Sequence, residues 1–300
     1  MRLRHPVLNG SGTFDATAAR RAFGDALLED FPFSAFVSKT ITPLPRAGNP
    51  PPRLYETAAG MINSIGLPNK GLAGFLETDL PQLAELPVPL IVSVMGTSAD
   101  EFTALVEGVA PHDAVAAIEL NVSCPNVESG LIVGEEPGET RALVATLRPL
   151  TEKPLIVKLT PNVARPEDVA AAAEEGGAAA VSLINTLKAH ATDPVTREPW
   201  LGGGSGGLSG PAVRALALEQ VRRVAAAVRV PVIGMGGIET GRQALEFLTA
   251  GASAVAVGTA NFRDPQAGAR VADELSAVLA GGGSSPGDNL EADLAPSTST

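Results

Sequence analysis

The sequence predicts an α/β fold of the (β/α)8 (TIM) barrel class, with inserted loops at the C-terminal face of the strands. Eight short runs are apolar almost throughout, as is typical of parallel strands that are covered on both faces. Helical patterns separate most of these runs, and 300 residues with 45% apolar content suffice for one such barrel. An open, doubly wound sheet is the alternative, but no G-x-G-x-x-G turn follows the first apolar run.

The predicted elements alternate along the chain. Strands are predicted over residues 7–9, 35–39, 90–95, 117–121, 155–159, 179–184, 232–234 and 254–257. Helices are predicted over residues 100–110, 139–150, 166–175, 211–227, 240–250 and 266–279. Ser98, Pro166 and Pro211 are start signals for three of these helices, and Gly176 and Gly251 are stop signals.

Two insertions and a tail depart from this alternation. Residues 42–79 are long, proline-rich and polar for a connection between a strand and a helix, which predicts either a functional lid or small extra strands. A glycine-rich insertion over 190–210 follows the sixth predicted strand. Residues 281–300 have few apolar groups, so we expect a single domain over 1–280 and a disordered C-terminal tail over 281–300.

Composition excludes several classes of function. The net charge of −11 would repel a nucleic acid. One cysteine cannot form an internal disulfide or a cysteine-based metal site, and the three histidines show no metal-binding spacing, so no metal is expected. No apolar run reaches about 18 residues and no signal sequence is visible at the N-terminus. These features predict a cytoplasmic protein without a membrane or nucleic-acid partner.

Polar residues at the carboxyl ends of the predicted strands are the candidates for chemistry, since barrel enzymes place their active sites there. The turns at Gly236-Gly237 and Gly258-Thr259, after the seventh and eighth strands, leave backbone N–H groups free for a phosphate. Tight turns alone are the plainer explanation of these glycines. Both turns occur together at the strands where barrels bind phosphate, which favours a binding role.

Two lysines, one cysteine and several asparagines complete the candidate site. Lys39 and Lys158 follow apolar runs, so we expect their ammonium groups to point into a polar cavity and not to reach outward into solvent. Cys124 lies in a polar loop and is a candidate base or nucleophile, although a lone cysteine is most often a small buried apolar residue. The amide groups suit a planar imide or amide ligand, and they belong to Asn63, Asn121 and Asn185.

Nine segments together resemble the dihydroorotate dehydrogenases, over roughly residues 5–275 and in the same order and spacing. The segments are S-K-T (38–40), G-N-P-P-P-R (48–53), N-S-I-G-L-P-N (63–69), E-L-N-V-S-C-P-N (119–126), V-K-L (157–159), I-N-T (184–186), G-G-L-S-G-P (206–211), G-M-G-G-I (234–238) and G-A-S-A-V-A-V-G-T-A (251–260). The resemblance implies FMN-dependent oxidation of dihydroorotate to orotate in the synthesis of pyrimidines.

The resemblance also implies a role for each matching residue. Cys124 would remove the C5 proton while hydride leaves C6 for flavin N5, with Lys39 as a second catalytic residue. Substrate would contact Lys39, Asn63, Ser64, Ile65, Gly66, Leu67, Asn121, Asn185 and Thr186. FMN would contact Ser11, Lys39, Thr40, Ser93, Asn121, Lys158, Ile184, Gly210, Gly236, Gly237, Gly258 and Thr259.

The cysteine in the loop after the fourth strand is similar to that of the class 1 enzymes, and the I-N-T-L and G-M-G-G segments look more like their B type. That type implies a homodimer and, if NAD is the electron acceptor, a partner subunit with FAD and an iron–sulfur centre. Ser93 departs from the pattern, because many B-type relatives have asparagine there. The alternatives are an FMN barrel for another dihydropyrimidine and a non-redox phosphosugar isomerase or aldolase with Lys158 as a Schiff base.

Overall fold

The structure, a computed structural model, describes residues 1–123 and 133–281. Within these ranges the strands are, in chain order, β1 (Val7–Asn9), β2 (Phe36–Val37), β3 (Leu54–Thr57), β4 (Gly60–Asn63), β5 (Leu90–Val94), β6 (Val115–Asn121), β7 (Leu155–Lys158), β8 (Ala180–Leu183), β9 (Leu187–Ala189), β10 (Gly206–Ser209), β11 (Val232–Met235) and β12 (Ala254–Val257). Eight of them form a parallel sheet in the order β1-β12-β11-β8-β7-β6-β5-β2. Every predicted strand is present.

Side chains close the gap between the two edge strands, β1 and β2. The backbone N–H of Ser34 donates to the carbonyl of Val7 over 3.0 Å. The side-chain amide of Asn9, which is fully buried, donates to the carbonyl of Val37 and accepts from its N–H, each over 2.8 Å. Asn9 thereby replaces the missing backbone ladder between the edges. The sheet is a nearly closed (β/α)8 barrel, which confirms the predicted fold class and excludes the open sheet.

Two separate apolar clusters follow from the alternation of side chains along each strand. One set of strand residues faces the helices, for example Val92, Ile118 and Val157. The alternate set fills the barrel interior, and it comprises Leu8, Ala35, Val37, Ile91, Ala117, Ile156, Ala180, Ile233, Met235, Ala254 and Ala256, with Leu3 beneath them. Continuous apolar runs were therefore the right signal, because both faces of each strand are buried.

The helices pack around the barrel. They are α1 (Ala16–Phe23), α2 (Ala26–Glu29), α3 (Gly71–Gly74), α4 (Leu80–Leu83), α5 (Ala99–Val109), α6 (Pro137–Leu147), α7 (Pro166–Glu175), α8 (Arg214–Ala227), α9 (Gly241–Thr249) and α10 (Ala267–Gly281). The predicted start signals are confirmed at α5, where the Ser98 hydroxyl accepts from the N–H of Glu101, and at α7, which Pro166 opens. Pro211 begins a 3-10 turn that leads into α8.

The two insertions pair with each other in a second sheet. Its antiparallel order is β3-β4-β10-β9, with β3 and β4 from the first insertion and β10 from the second. The structure confirms one of the two predictions for residues 42–79, namely that this segment contains small extra strands. Ile62, Ala191 and Leu201 form a small apolar cluster of their own beside this sheet. The segment goes on as α3, a π turn over Phe75–Asp79 and α4, which the sequence reasoning missed along with α1 and α2.

Two kinds of feature are absent from the part of the chain that the structure describes, a membrane-spanning helix and a metal-binding cluster. None of its helices is long and apolar enough to cross a membrane. The same residues contain no cluster of three or more histidine, cysteine, aspartate or glutamate side chains that could hold a metal ion. The predicted tail over 281–300 lies outside the described residues, apart from Gly281, which ends α10.

Candidate active site

The predicted site residues of the described ranges gather at one end of the barrel. Most of them lie at or just after the carboxyl end of a barrel strand. The others lie in or next to the small antiparallel sheet, which is formed by the segments that follow β2 and β8. Ser11 follows β1, Lys39 and Thr40 follow β2, Ser93 lies in β5, Asn121 ends β6, Lys158 ends β7, Ile184, Asn185 and Thr186 follow β8, Gly210 follows β10, Gly236 and Gly237 follow β11, Gly258 and Thr259 follow β12, and Asn63 to Leu67 end and follow β4. Cys124 lies outside the described residues.

A polar layer lies on top of the apolar barrel interior. Strand register places Ser93 beside Glu119 and Lys158 beside both Asn121 and Ser182. All five side chains are buried, and Lys158 Nζ lies 3.9 Å from Glu119 Oε1. Because unpaired buried charges are costly, the pairing of this lysine with a carboxylate offsets part of the cost of burying both groups. The expectation that Lys158 is enclosed is met.

Ser93 differs from the expectation that it would offer its hydroxyl to a bound flavin. It has no exposed surface, and its hydroxyl donates to Glu119 Oε1 over 3.1 Å and bonds to the hydroxyl of Thr40 over 2.9 Å. Thr40 in turn contacts the hydroxyl of Ser11 over 3.2 Å. Ser93 therefore supports the site from below, and its single proton is already committed to a carboxylate.

Asn121 and Asn185 form the amide cluster that the sequence predicts. The amide nitrogen of Asn185 donates to Ser123 Oγ over 3.0 Å and to Asn121 Oδ1 over 3.4 Å. Asn185 also accepts from the N–H of Thr186, over 2.8 Å. Asn121 is buried while Asn185 is half-buried, so the pair presents one amide edge toward open space.

Asn63 and its loop are attached to Gly207, a glycine that lines the same cavity as Asn185. The amide of Asn63 donates to the carbonyl of Gly207 over 3.2 Å, and the Ser64 hydroxyl accepts from the side chain of Asn49 over 2.9 Å. Asn49 N–H also donates to the carbonyl of Ile65, over 3.0 Å. The loop over residues 63–67 is thus held by both insertions. Thr186 lies against Gly207, where a β-carbon would come within 1.9 Å of its hydroxyl.

A polar cavity of about 220 Å³ opens between these elements. The sequence reasoning predicted two of the residues that line it, Asn185 and Thr186, and missed the others. The missed residues are Ser123, Glu135, Thr160, Asn162, Lys188, Gly206 and Gly207. Thr160 and Asn162 follow β7 directly, so their position after a strand was a usable signal. A groove of about 250 Å³ on the outer surface between α1 and α4 is lined by none of the predicted site residues.

Lys39 is more open than expected, since it is exposed whereas Lys158 is buried. Its stem passes Gly12, whose β-carbon position is 3.7 Å away. Partial burial lowers the pKa of Lys39 from its ordinary value, the charge of Arg53 lowers it further and Asp15 opposes the shift. The lowered pKa indicates an ammonium group that would gain from an anionic ligand.

The glycine turns after β10 and β11 approach each other closely. Gly210 and Gly237 both have positive φ angles, +91° and +70°, which favour glycine. A β-carbon on Gly237 would lie 2.7 Å from the carbonyl oxygen of Gly210, and one on Gly210 would lie 3.5 Å from the Thr259 methyl group. Three predicted FMN contacts from three different turns, Gly210, Gly237 and Thr259, are therefore neighbours in space. A backbone cradle of this kind fits the phosphate of a flavin mononucleotide.

Comparison with known proteins assigns this arrangement to a family. The family model described as Dihydroorotate dehydrogenase matches residues 1–279. The chain belongs to the dihydroorotate dehydrogenase family. It is 48% identical to a relative from Desulforudis audaxviator, over 92% of this chain and 89% of the relative. It is 46% identical to one from Geobacter sp. (strain M21), over 93% and 91%. Both are named dihydroorotate dehydrogenase B (NAD(+)), catalytic subunit.

Two further comparisons qualify and extend this result. A relative from Solibacter usitatus, provisionally named dihydroorotate dehydrogenase A (fumarate), is 46% identical over 92% of this chain and 90% of its own. The fold matches a crystal structure of DHODH in complex with ferulenol from Eimeria tenella, with a TM-score of 0.73 and 24% identity over 93% of this chain and 82% of that chain. The predicted family, its flavin-dependent oxidoreductase activity and the barrel are confirmed, and the non-redox isomerase or aldolase alternative is excluded.

Proposed function

We propose that this chain is the FMN-binding catalytic subunit of a class 1, B-type dihydroorotate dehydrogenase. The observation that carries the proposal is the meeting of three groups at one end of the barrel. These groups are the amide pair of Asn121 and Asn185, the enclosed Lys158, and the backbone turns at Gly210 and Gly237. An imide ring, an electron-rich flavin edge and a phosphate are the ligands that these groups suit.

Two sets of residues at the opening would have different tasks, one to bind the cofactor and the other to bind the substrate. The turns at Gly236-Gly237 and Gly258-Thr259 would hold the phosphate, while Lys158 and Asn121 would face the ring of the cofactor. Bound FMN would supply the hydride acceptor. Asn63, Asn185 and Lys39 would hold the dihydropyrimidine and its carboxylate, and so fix the orientation of the reacting carbon atoms. Such positioning is worth several kcal/mol of a reaction barrier.

The proton step is assigned to Cys124 through the family motif. The segment E-L-N-V-S-C-P-N carries the cysteine a few residues beyond Asn121, which is buried at the end of β6 and belongs to the proposed site. A thiolate at that point would take the proton from C5 of the substrate. The free pKa of a thiol is about 8.5, so a base of this kind becomes more effective as the pH rises through neutrality.

The electron acceptor follows from the relatives and from the single cysteine. Two of the relatives are named catalytic subunits of NAD(+)-linked enzymes, and one is named for fumarate. A chain with one cysteine cannot ligate a four-cysteine iron–sulfur cluster. We therefore assign NAD reduction to a partner subunit that carries FAD and an iron–sulfur centre, with the present chain as a homodimer in the cytoplasm.

The visible spectrum of the purified chain tests this function. We expect a flavin spectrum that bleaches when dihydroorotate is added without oxygen, with orotate formed in equal amount. The chain alone should reduce an artificial dye and not NAD. A flavin that dihydroorotate fails to bleach, but that another dihydropyrimidine bleaches, would move the substrate assignment. Protein that takes up no FMN on reconstitution would contradict the proposal as a whole.

A further inference from the structure

One buried carboxylate in the barrel has no role in the proposed function. Glu119 is 3% exposed and lies in β6 between Ala117 and Asn121 on the side that faces the barrel interior. Its neighbours on the same strand, Ile118 and Leu120, face the helices. A glutamate at such a position is rarely left fully buried unless it is paired, so its partners indicate what it does.

Both oxygens of Glu119 are engaged by donors from other strands. Oε1 accepts from the Ser93 hydroxyl of β5 and Oε2 from the Ser182 hydroxyl of β8, each over 3.1 Å. Ser93 gives its proton to Glu119, so in its contact with Thr40 the threonine must be the donor. The carboxylate is thus fixed from two sides, in a single orientation, within the polar layer.

Lys158 is the charge that this carboxylate faces. The distance from Nζ to Glu119 Oε1 is 3.9 Å, an ion pair that is too long for a hydrogen bond. Among the described residues, Lys158 has no hydrogen-bond acceptor, although it is only 7% exposed. A nearly buried ammonium group with unmade hydrogen bonds is costly unless a ligand supplies the acceptors. Glu119 compensates the charge of Lys158, whereas the three N–H donors of the lysine have no acceptor among residues 1–123 and 133–281.

We propose that Glu119 is a positioning residue for Lys158: it holds the ammonium group at the floor of the flavin site and offsets its charge. The inference rests on the proposed function, because Lys158 is a proposed contact of the flavin ring. A lysine without a counter-charge would favour the anionic reduced ring strongly. With Glu119 beside it, the N–H groups of Lys158 keep one orientation, and the lysine stabilises the reduced ring less strongly.

The reduction potential of bound FMN is the measurement that separates this role from a structural one. In Glu119→Gln the shape is kept and the negative charge is lost, so we expect a higher midpoint potential. The expected shift is at least a tenfold change in the ratio of reduced to oxidised flavin at a fixed potential, about 30 mV for a two-electron couple. Lys158→Gln should lower the potential, and loss of Glu119 should raise the potential less in the Lys158→Gln background than in the unchanged protein.

The controls distinguish failure of this inference from failure of the proposed function. Ser34→Ala removes a buried hydroxyl that bonds the carbonyl of Val7, before β2 begins, and should leave the potential unchanged. An unchanged potential in Glu119→Gln, together with a shift in Lys158→Gln, would overturn the role of Glu119. If Lys158→Gln itself has no effect on the potential, the flavin contact in the proposed function is wrong, and the inference fails with it.

A second variant covers the case in which Glu119→Gln does not fold. Ser182→Ala removes one donor to Oε2 and little volume. Loss of that donor removes a hydroxyl dipole that screens the negative charge of Glu119, so we expect a lower potential and an altered Kd for FMN. Ser182→Ala with both quantities equal to those of the unchanged protein would overturn the proposal.

Discussion

Lys39 and Lys158 are the two lysines of the site, and their surroundings set their different uses. Lys158 is enclosed and faces a carboxylate at 3.9 Å, while Lys39 is exposed and is desolvated on one side only. Arg53 adds a like charge to Lys39, and Asp15 only partly offsets the resulting shift. Lys39 is therefore the lysine whose positive charge an anionic ligand would stabilise most. The charge of Lys158 is already offset by Glu119.

The pH dependence of orotate binding should follow the ionisation of Lys39. Its pKa is lowered, first by burial and then by Arg53, so its ammonium group is lost at a lower pH than that of an ordinary lysine. Orotate affinity should fall as the pH rises through that lowered pKa. Lys39→Gln should weaken binding by about 1.5–3 kcal/mol at neutral pH, the usual value of a hydrogen bond to a charged group.

Lys39→Arg is the matched control, because arginine stays protonated throughout this range. Its orotate Kd, followed through the flavin absorbance between pH 7 and 10, should change less with pH than that of the unchanged protein. If Lys39→Gln shows the same decline of affinity with pH as the unchanged protein, another group is responsible.

At the scale of elements, the turns after β10 and β11 matter most. Their glycines leave no room for a side chain, since a β-carbon on Gly237 would also lie 3.0 Å from the Arg214 side chain and from Pro211. The two insertions pair as β4 and β10 and bring Asn63 and Gly207 together across the opening. The proposed substrate loop and the proposed phosphate turn at Gly210 are therefore attached to one small sheet.

Gly237→Ala should weaken FMN binding about tenfold or more. The residue has a φ of +70°, so alanine is strained there, at a cost of about 1–3 kcal/mol. The carbonyl of Gly210 would also have to move away from the new methyl group. Titration with FMN, followed by fluorescence quenching, gives the Kd.

The matched control for that variant is Gly138→Ala, in the first turn of α6. A β-carbon there meets no atom within 4 Å. Alanine favours helix over glycine by about 0.5–1 kcal/mol, so this variant should be slightly more stable and bind FMN normally. Equal FMN affinity in both alanine variants would remove the turn after β11 from the proposed site.

At the scale of the whole molecule, the Asn9 side chain is a main contact between the two edge strands of the barrel. Asn9 bonds both backbone groups of Val37, and it has no access to solvent. Replacement by alanine leaves a buried N–H and a buried carbonyl unpaired, each at a cost of about 1–3 kcal/mol. The edges β1 and β2 would then be joined mainly through Ser34.

Asn9→Ala should lower the free energy of unfolding by about 2–6 kcal/mol, which follows from the two unpaired groups of Val37. Urea denaturation followed by circular dichroism measures it, with the midpoint lowered and the slope unchanged. Ser276→Ala, which removes a hydroxyl bond within α10, is the control and should stay within about 0.5 kcal/mol. A stability for Asn9→Ala within the same margin would show that the barrel closes without this side chain.

Much of the fold was predictable from the sequence because parallel strands covered on both faces are apolar throughout, as in Leu90–Val94. The family segments likewise indicated the candidate site, since most of them include or follow the carboxyl end of a strand. Glu119 stands in one of those segments and was not singled out. The signal was present in the alternation of Ala117, Glu119 and Asn121, but only strand register shows that Ser93, Ser182 and Lys158 surround it.

Patterns along the chain determined the strands, the strand ends and the family, because these depend on local periodicity and on residue types at fixed spacing. Contacts between distant segments were settled only by the folded chain. Asn9 meets Val37 across 28 residues, Asn63 meets Gly207 across 144, and Glu119 meets Ser182 across 63. Such pairs follow from how the barrel closes and how the insertions pair, and no local preference of the sequence encodes the distance between them.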